Sequence, residues 1–224
     1  MGTSFEVTRE DGGTLQAYRA EPQSNAAGMV LVIQEIFGVN AHIRSVCDRF
    51  AEAGYVAIAP ALFDRVTPNV ELHYTPEGIE RGKELMGSIE FDSALADIRS
   101  TLTTAGAEPA KTAVVGYCWG GSLAFASAAR LGNQLACAIS YYPGGIANQI
   151  GEELAAPVLF HFGSQDQTIP MDIVEKVREH YPDQQLHVYD AGHGFNCDAR
   201  GSYDSTSADL AYQRTLDFIK NQMG

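Results

Sequence analysis

Positive charge is scarce in this chain. Fifteen Lys and Arg stand against 28 Asp and Glu, a formal net charge of −13 over 224 residues. Nucleic-acid surfaces need a basic footprint and anionic membranes attract polybasic segments, so neither partner is expected. Long apolar runs are missing too. The longest, Ala26 to Ile33, is far short of the roughly 18–20 residues that a bilayer span requires. The opening stretch MGTSFEVTRE has no apolar h-region, and no secretory signal is read there. Cysteine is sparse and scattered, at 47, 118, 137 and 197, with no C-x-x-C pair. This spacing argues against a zinc ribbon, a thioredoxin-type site or a disulfide scaffold. All four read as reduced thiols, one free to act as a nucleophile and the rest as packing residues, in a cytoplasmic protein. No repeat, low-complexity tract or Pro/Ser-rich linker divides the chain, and 1–224 is read as a single domain.

Apolar residues make up 45% of the chain and charged residues 19%, enough to build a core without metals or disulfides. MVLVIQ at 29–34 and YVAIAP at 55–60 are continuous apolar runs, as expected for strands covered on both faces. Between them Ile43, Val46, Cys47 and Phe50 repeat at helical spacing, with Asn40 as N-cap and Gly54 at the stop. Further strands are read at 111–117, 135–142, 157–163 and 186–190, with helices near 92–105, 120–131, 171–180 and 206–222. The alternation predicts a mostly parallel sheet with helices on both faces. Segments 4–8 and 14–20, separated by Asp11-Gly12-Gly13, read as an antiparallel hairpin at the sheet edge. Residues 62–90 are the least regular stretch and are placed over the pocket mouth. Ligands in such sheets bind beyond the carboxyl ends of the strands, so chemistry is sought there.

The strand at 111–117 runs into Gly116-Tyr117-Cys118-Trp119-Gly120-Gly121 and then an apolar helix. This is a strand–turn–helix nucleophile elbow with cysteine in the serine position. Glycine is needed at 116 and 120 because strand and helix crowd together. The Cys118 sulfur sits at a helix N-terminus, where partial positive charge favours a thiolate. The Trp119 N–H faces the same space and can receive an oxyanion. A buried structural cysteine in a glycine-rich turn is the competing reading. A nucleophile needs a base and an orienting acid. His193, in Asp190-Ala191-Gly192-His193-Gly194-Phe195 after the last strand, is the expected base. The other five histidines read as surface or satisfied core residues. Asp166, in the loop after 157–163, is preferred as the acid over Asp172 and Asp190.

These motifs, together with Gln34-Glu35-Ile36-Phe37-Gly38-Val39-Asn40, Gly163-Ser164-Gln165-Asp166 and Arg214-Thr215-Leu216-Asp217-Phe218, closely resemble the dienelactone hydrolase family of α/β-hydrolases over nearly the whole chain. The resemblance implies an α/β-hydrolase fold and hydrolysis of small lactones or carboxylic esters, carboxymethylenebutenolides foremost. It implies a Cys118–His193–Asp166 triad, a thioester intermediate, and no metal or organic cofactor. It also gives Glu35 a role, contacting the resting thiol and moving aside when substrate binds, and makes the Ile36 N–H a second oxyanion donor. Arg81 matches one of two arginines that hold the substrate carboxylate. Cys197 occupies the position of the other, four residues after the histidine, and Arg200 is the nearest arginine. Tyr142, with Tyr141 and Trp119, is a candidate pocket wall, ordinary buried aromatics being the alternative. The expected partner is a small lactone or ester, and the expected state a monomer or weak homodimer. Two other readings stand beside this one: a broad short-chain esterase on neutral esters, and a non-catalytic relative that binds a small ligand.

Overall fold

A computed structural model of the chain describes residues 2–224. Eight strands form one sheet: β1 (Thr3–Thr8), β2 (Thr14–Ala20), β3 (Met29–Ile33), β4 (Val56–Pro60), β5 (Thr112–Tyr117), β6 (Cys137–Tyr141), β7 (Val158–Gly163) and β8 (Gln185–Tyr189). Their order is β1-β2-β4-β3-β5-β6-β7-β8. Strands β3 to β8 run parallel, and β1 and β2 form the antiparallel hairpin expected at the edge. The central strands are buried along their length, which accounts for their unbroken apolar runs.

Six helices cover the sheet: α1 (Ala41–Glu52), α2 (Pro76–Gly87), α3 (Phe91–Thr104), α4 (Trp119–Arg130), α5 (Met171–His180) and α6 (Ser205–Met223). Asn40 caps α1 by accepting from the Ile43 N–H at 3.2 Å, a contact worth about 1 kcal/mol. Asp204 does the same for α6 through the Ser207 N–H at 2.7 Å.

The reading of 62–90 as irregular needs correction. Leu62–Arg65 forms a short 3-10 turn, and α2 is a full helix of 12 residues. Thr75 accepts from the Gly78 N–H at its start, and Pro76 occupies the first turn. The buried residues Gly78, Gly82 and Leu85 face inward. Small residues there let the helix lie close to the chain after β3, where a side chain at Gly82 would strike the Ile36 carbonyl. The placement of this segment over the pocket holds, because Lys83, Met86 and Ile89 line the cavity beside Cys118.

Candidate active site

Cys118 joins β5 to α4 with φ 56° and ψ −113°, a backbone conformation that side chains other than glycine rarely adopt. Holding it costs on the order of 1–3 kcal/mol, and such strain persists only where the surroundings impose it. The surroundings here are the two glycines. A Cβ at Gly116 would collide with the Gly120 backbone, and one at Gly120 would lie 2.5 Å from the Gln34 carbonyl oxygen. Strand, turn and helix therefore interlock, and the sulfur is carried to the mouth of a cavity of about 580 Å³. Trp119 is the first residue of α4, where an N–H has no intrahelical acceptor. Ile36 lines the same cavity from the end of β3.

The loops after β7 and β8 bring Asp166 and His193 together. Asp166 Oδ2 lies 2.7 Å from His193 Nδ1. Its other oxygen accepts from the backbone N–H groups of Thr168 at 2.7 Å and Ile169 at 3.1 Å. The carboxylate is buried and fixed from three sides. Burial by itself would lower the His193 pKa, but the hydrogen bonds to Asp166 and Cys118 outweigh it and raise the pKa to about 10. Imidazolium is thus the resting form of the base. Of the other acids considered, Asp172 is exposed on α5 and Asp190 accepts from Gln165.

Glu35 is 1% exposed, and its Oε1 accepts from Arg200 Nη1 at 3.0 Å. Its Oε2 is buried without a hydrogen-bond partner. The expected contact of Glu35 with the thiol is replaced by this ion pair, because Arg200 reaches in over the rings of Phe37 and Tyr74. Arg81 goes the other way. It is half exposed on α2, pairs with Glu84 at 2.9 Å, and is not part of the cavity wall. Tyr142 follows β6 with φ 33° and is fully buried. It packs edge-on against His193 with ring centroids 5.1 Å apart and so supports the base. Tyr141 is a core residue whose hydroxyl meets Thr215 at 2.7 Å. His161 is likewise a satisfied core histidine, bonded to Tyr189 and Thr215. His42 departs from the satisfied reading: Nδ1 meets Asp198, but Nε2 is buried without a partner.

The cavity wall is largely apolar, with Ile36, Met86, Ile89, Phe91 and Trp119, and its charged members are Lys83, Arg130 and Glu152. Sequence reasoning missed Lys83, Met86, Ile89 and Phe91. The available signal was Thr75-Pro76, a helix start that makes the spacing of residues 79 to 89 readable.

The profile of the dienelactone hydrolase family matches residues 15–223. A Synechocystis sp. protein assigned as a carboxymethylenebutenolidase is 34% identical, over 93% of this chain and 92% of its own. The carboxymethylenebutenolidase of Pseudomonas putida is 33% identical, over 96% of this chain and 94% of its own. A solved structure from Klebsiella pneumoniae subsp. pneumoniae, assigned as a dienelactone hydrolase, superposes with a TM-score of 0.83 at 33% identity, covering 98% of this chain and 99% of the other. Fold, ordered motifs and full-length similarity agree, and the chain belongs to the dienelactone hydrolase family.

Proposed function

We propose that this chain is a carboxylic-ester hydrolase that opens small lactones and esters through attack by Cys118. The supporting observation is the Asp166–His193 couple, 2.7 Å apart and buried, set beside a strained cysteine at a cavity mouth. A non-catalytic binding protein has no use for that arrangement. A carboxymethylenebutenolide-like lactone is the favoured substrate, since related proteins carry that activity in their names.

The chemistry follows from the charges. A substrate carboxylate competes with Glu35 for Arg200. Glu35, deprived of its partner, takes the proton of the Cys118 thiol, leaving a thiolate beside imidazolium. Attack on the carbonyl builds an oxyanion against the N–H groups of Trp119 and Ile36. The carbonyl reforms, the ring C–O bond breaks, and His193 protonates the leaving oxygen. Acylation removes the Cys118 hydrogen bond that helped raise the His193 pKa, and His193 has given its proton to the leaving oxygen. The neutral imidazole then takes a proton from water, which hydrolyses the thioester.

A second reading, an esterase on neutral substrates, is favoured by the apolar wall of Ile36, Met86, Ile89, Phe91 and Trp119. Comparing kcat/KM for cis- and trans-dienelactone with that for p-nitrophenyl butyrate separates the two. The lactone reading expects dienelactone to be favoured, with an acyl adduct on the Cys118 peptide by mass spectrometry after a rapid acid quench. Turnover undiminished in Cys118→Ala would overturn the mechanism. Preference for the neutral ester would assign the second reading.

A further inference from the structure

Outside this site, a second set of Cys, His and Asp side chains converges from distant parts of the chain. His42 lies in the first turn of α1, while Cys197 and Asp198 follow His193 in the loop before α6. One ring nitrogen of His42, the Cys197 sulfur and a carboxylate oxygen of Asp198 all lie within 4.8 Å of one another. His42 Nδ1 is 2.9 Å from Asp198 Oδ1.

Three observations bear on what this cluster can do. The first is orientation. The His42 side chain is only 3% exposed, and Nδ1 is the ring nitrogen turned toward Asp198, so packing holds an imidazole donor at the cluster. The second is access. The Asp198 side chain is 67% exposed, so an ion can reach the cluster through the carboxylate without unfolding anything. The third is enclosure. Cys197 is fully buried, so its sulfur is kept from bulk solvent while its neighbours His42 and Asp198 remain within ligand distance.

We infer that His42, Cys197 and Asp198 form a binding site for a borderline-soft divalent metal ion such as zinc. Thiolate, imidazole and carboxylate are a donor set that such ions accept in tetrahedral geometry, with water in the fourth position on the exposed side of Asp198. Magnesium and calcium favour oxygen ligands and are disfavoured by the sulfur. Tetrahedral zinc sites have ligand–ligand edges of roughly 3.3–3.8 Å, so the trio's separations of up to 4.8 Å would shorten by up to about 1.5 Å while the 2.9 Å His42–Asp198 contact would lengthen slightly. On ligation the Cys197 thiol gives its proton to solvent and the sulfur bonds to the metal. The neighbouring Glu35 and Arg200 offset one another in charge, so the ion's attraction comes from its own ligands.

Cobalt is the probe, because thiolate coordination to Co²⁺ gives a sulfur-to-metal charge-transfer band in the near ultraviolet. The titration uses full-length Cys118→Ala, which removes the Cys118–His193 pair as a competing thiolate–imidazole site. The expected result is a saturable band at one equivalent, with zinc displacing the cobalt. Cys197→Ser should abolish the band. Asp198→Asn, an exposed change that leaves the fold intact, should weaken binding at least tenfold, and should do so even if Cys197→Ser fails to fold. Absence of the band, its persistence in folded Cys197→Ser, or unchanged affinity in Asp198→Asn would overturn the proposal. The optical readout does not depend on ester hydrolysis, so it stands or falls apart from the proposed activity.

Discussion

The molecule holds two Cys-His-Asp groupings, and their differences are more instructive than their shared composition. Cys118, His193 and Asp166 sit at the ends of three parallel strands, with the sulfur on a strained turn opening to a cavity. Cys197, His42 and Asp198 sit where one loop crosses the start of α1, with the sulfur enclosed. In the first grouping the acid is buried and held by two backbone N–H groups. In the second the acid is the exposed member. Burial pushes the Cys197 thiol up to about 12, so it rests neutral. The same three residue types thus carry different chemistry, decided by backbone strain, access and which member faces water.

The largest expected effect tests that contrast. Cys118→Ala should lower kcat/KM on the order of 10³-fold or more, whereas Cys197→Ala should stay within about threefold. Equal losses would erase the distinction. Next come the two acids. Asp166→Asn should cost on the order of 10²–10⁴ in kcat, because it leaves His193 misoriented and its positive charge unsupported. Asp198→Asn should leave turnover of the metal-free protein unchanged, measured on the same ester.

A stability comparison follows. Removing Arg200 strands the buried Glu35 carboxylate, and Arg200→Met should cost about 3 kcal/mol in urea unfolding. Adding Glu35→Gln should restore part of that loss, because no buried charge is then left unpaired.

A subtler effect is a titration. The folded His193 pKa is raised from 6.5 to about 10, so the imidazolium contribution to stability is fully present below pH 6.5 and is lost as pH rises through about 10. Carboxamidomethylation of Cys118 removes its hydrogen bond to His193 and should lower the His193 pKa, read from its ring resonances by NMR. An unmoved resonance would mean that Asp166 alone sets the protonation state. The smallest effect belongs to Arg81. Its exposed pair with Glu84 is worth about 0–1 kcal/mol, and Arg81→Ala should change kcat/KM on dienelactone by less than about threefold. A tenfold loss confined to carboxylate-bearing substrates would restore the role that the family resemblance suggested.

What the sequence disclosed depended on distance along the chain. The elbow at Gly116–Gly121 is a local pattern, and Asp166 and His193 stand in short loops directly after strands whose apolar runs are plain. Helix α2 was hidden because Gly78, Gly82 and Gly87 lower helix propensity, and only the fold reveals that the first two allow close packing. The Glu35–Arg200 and His42–Asp198 pairs join residues more than 150 positions apart, and nothing local announces them.

The register of the central strands has a kinetic consequence. Ile33 pairs with Gly116, so β3 meets β5 only after a chain loop of about eighty residues has closed. Glu35 lies just past one of those strands and Cys118 just past the other. Until that long-range pairing forms, the future nucleophile belongs to an unfolded chain, without its glycine-lined turn, its carboxylate or its histidine. Topologies of this kind fold slowly compared with helical bundles. The refolding protein should therefore pass through a period in which Cys118 reacts as an ordinary exposed thiol, and pulse alkylation during refolding would time the moment at which β3 and β5 join.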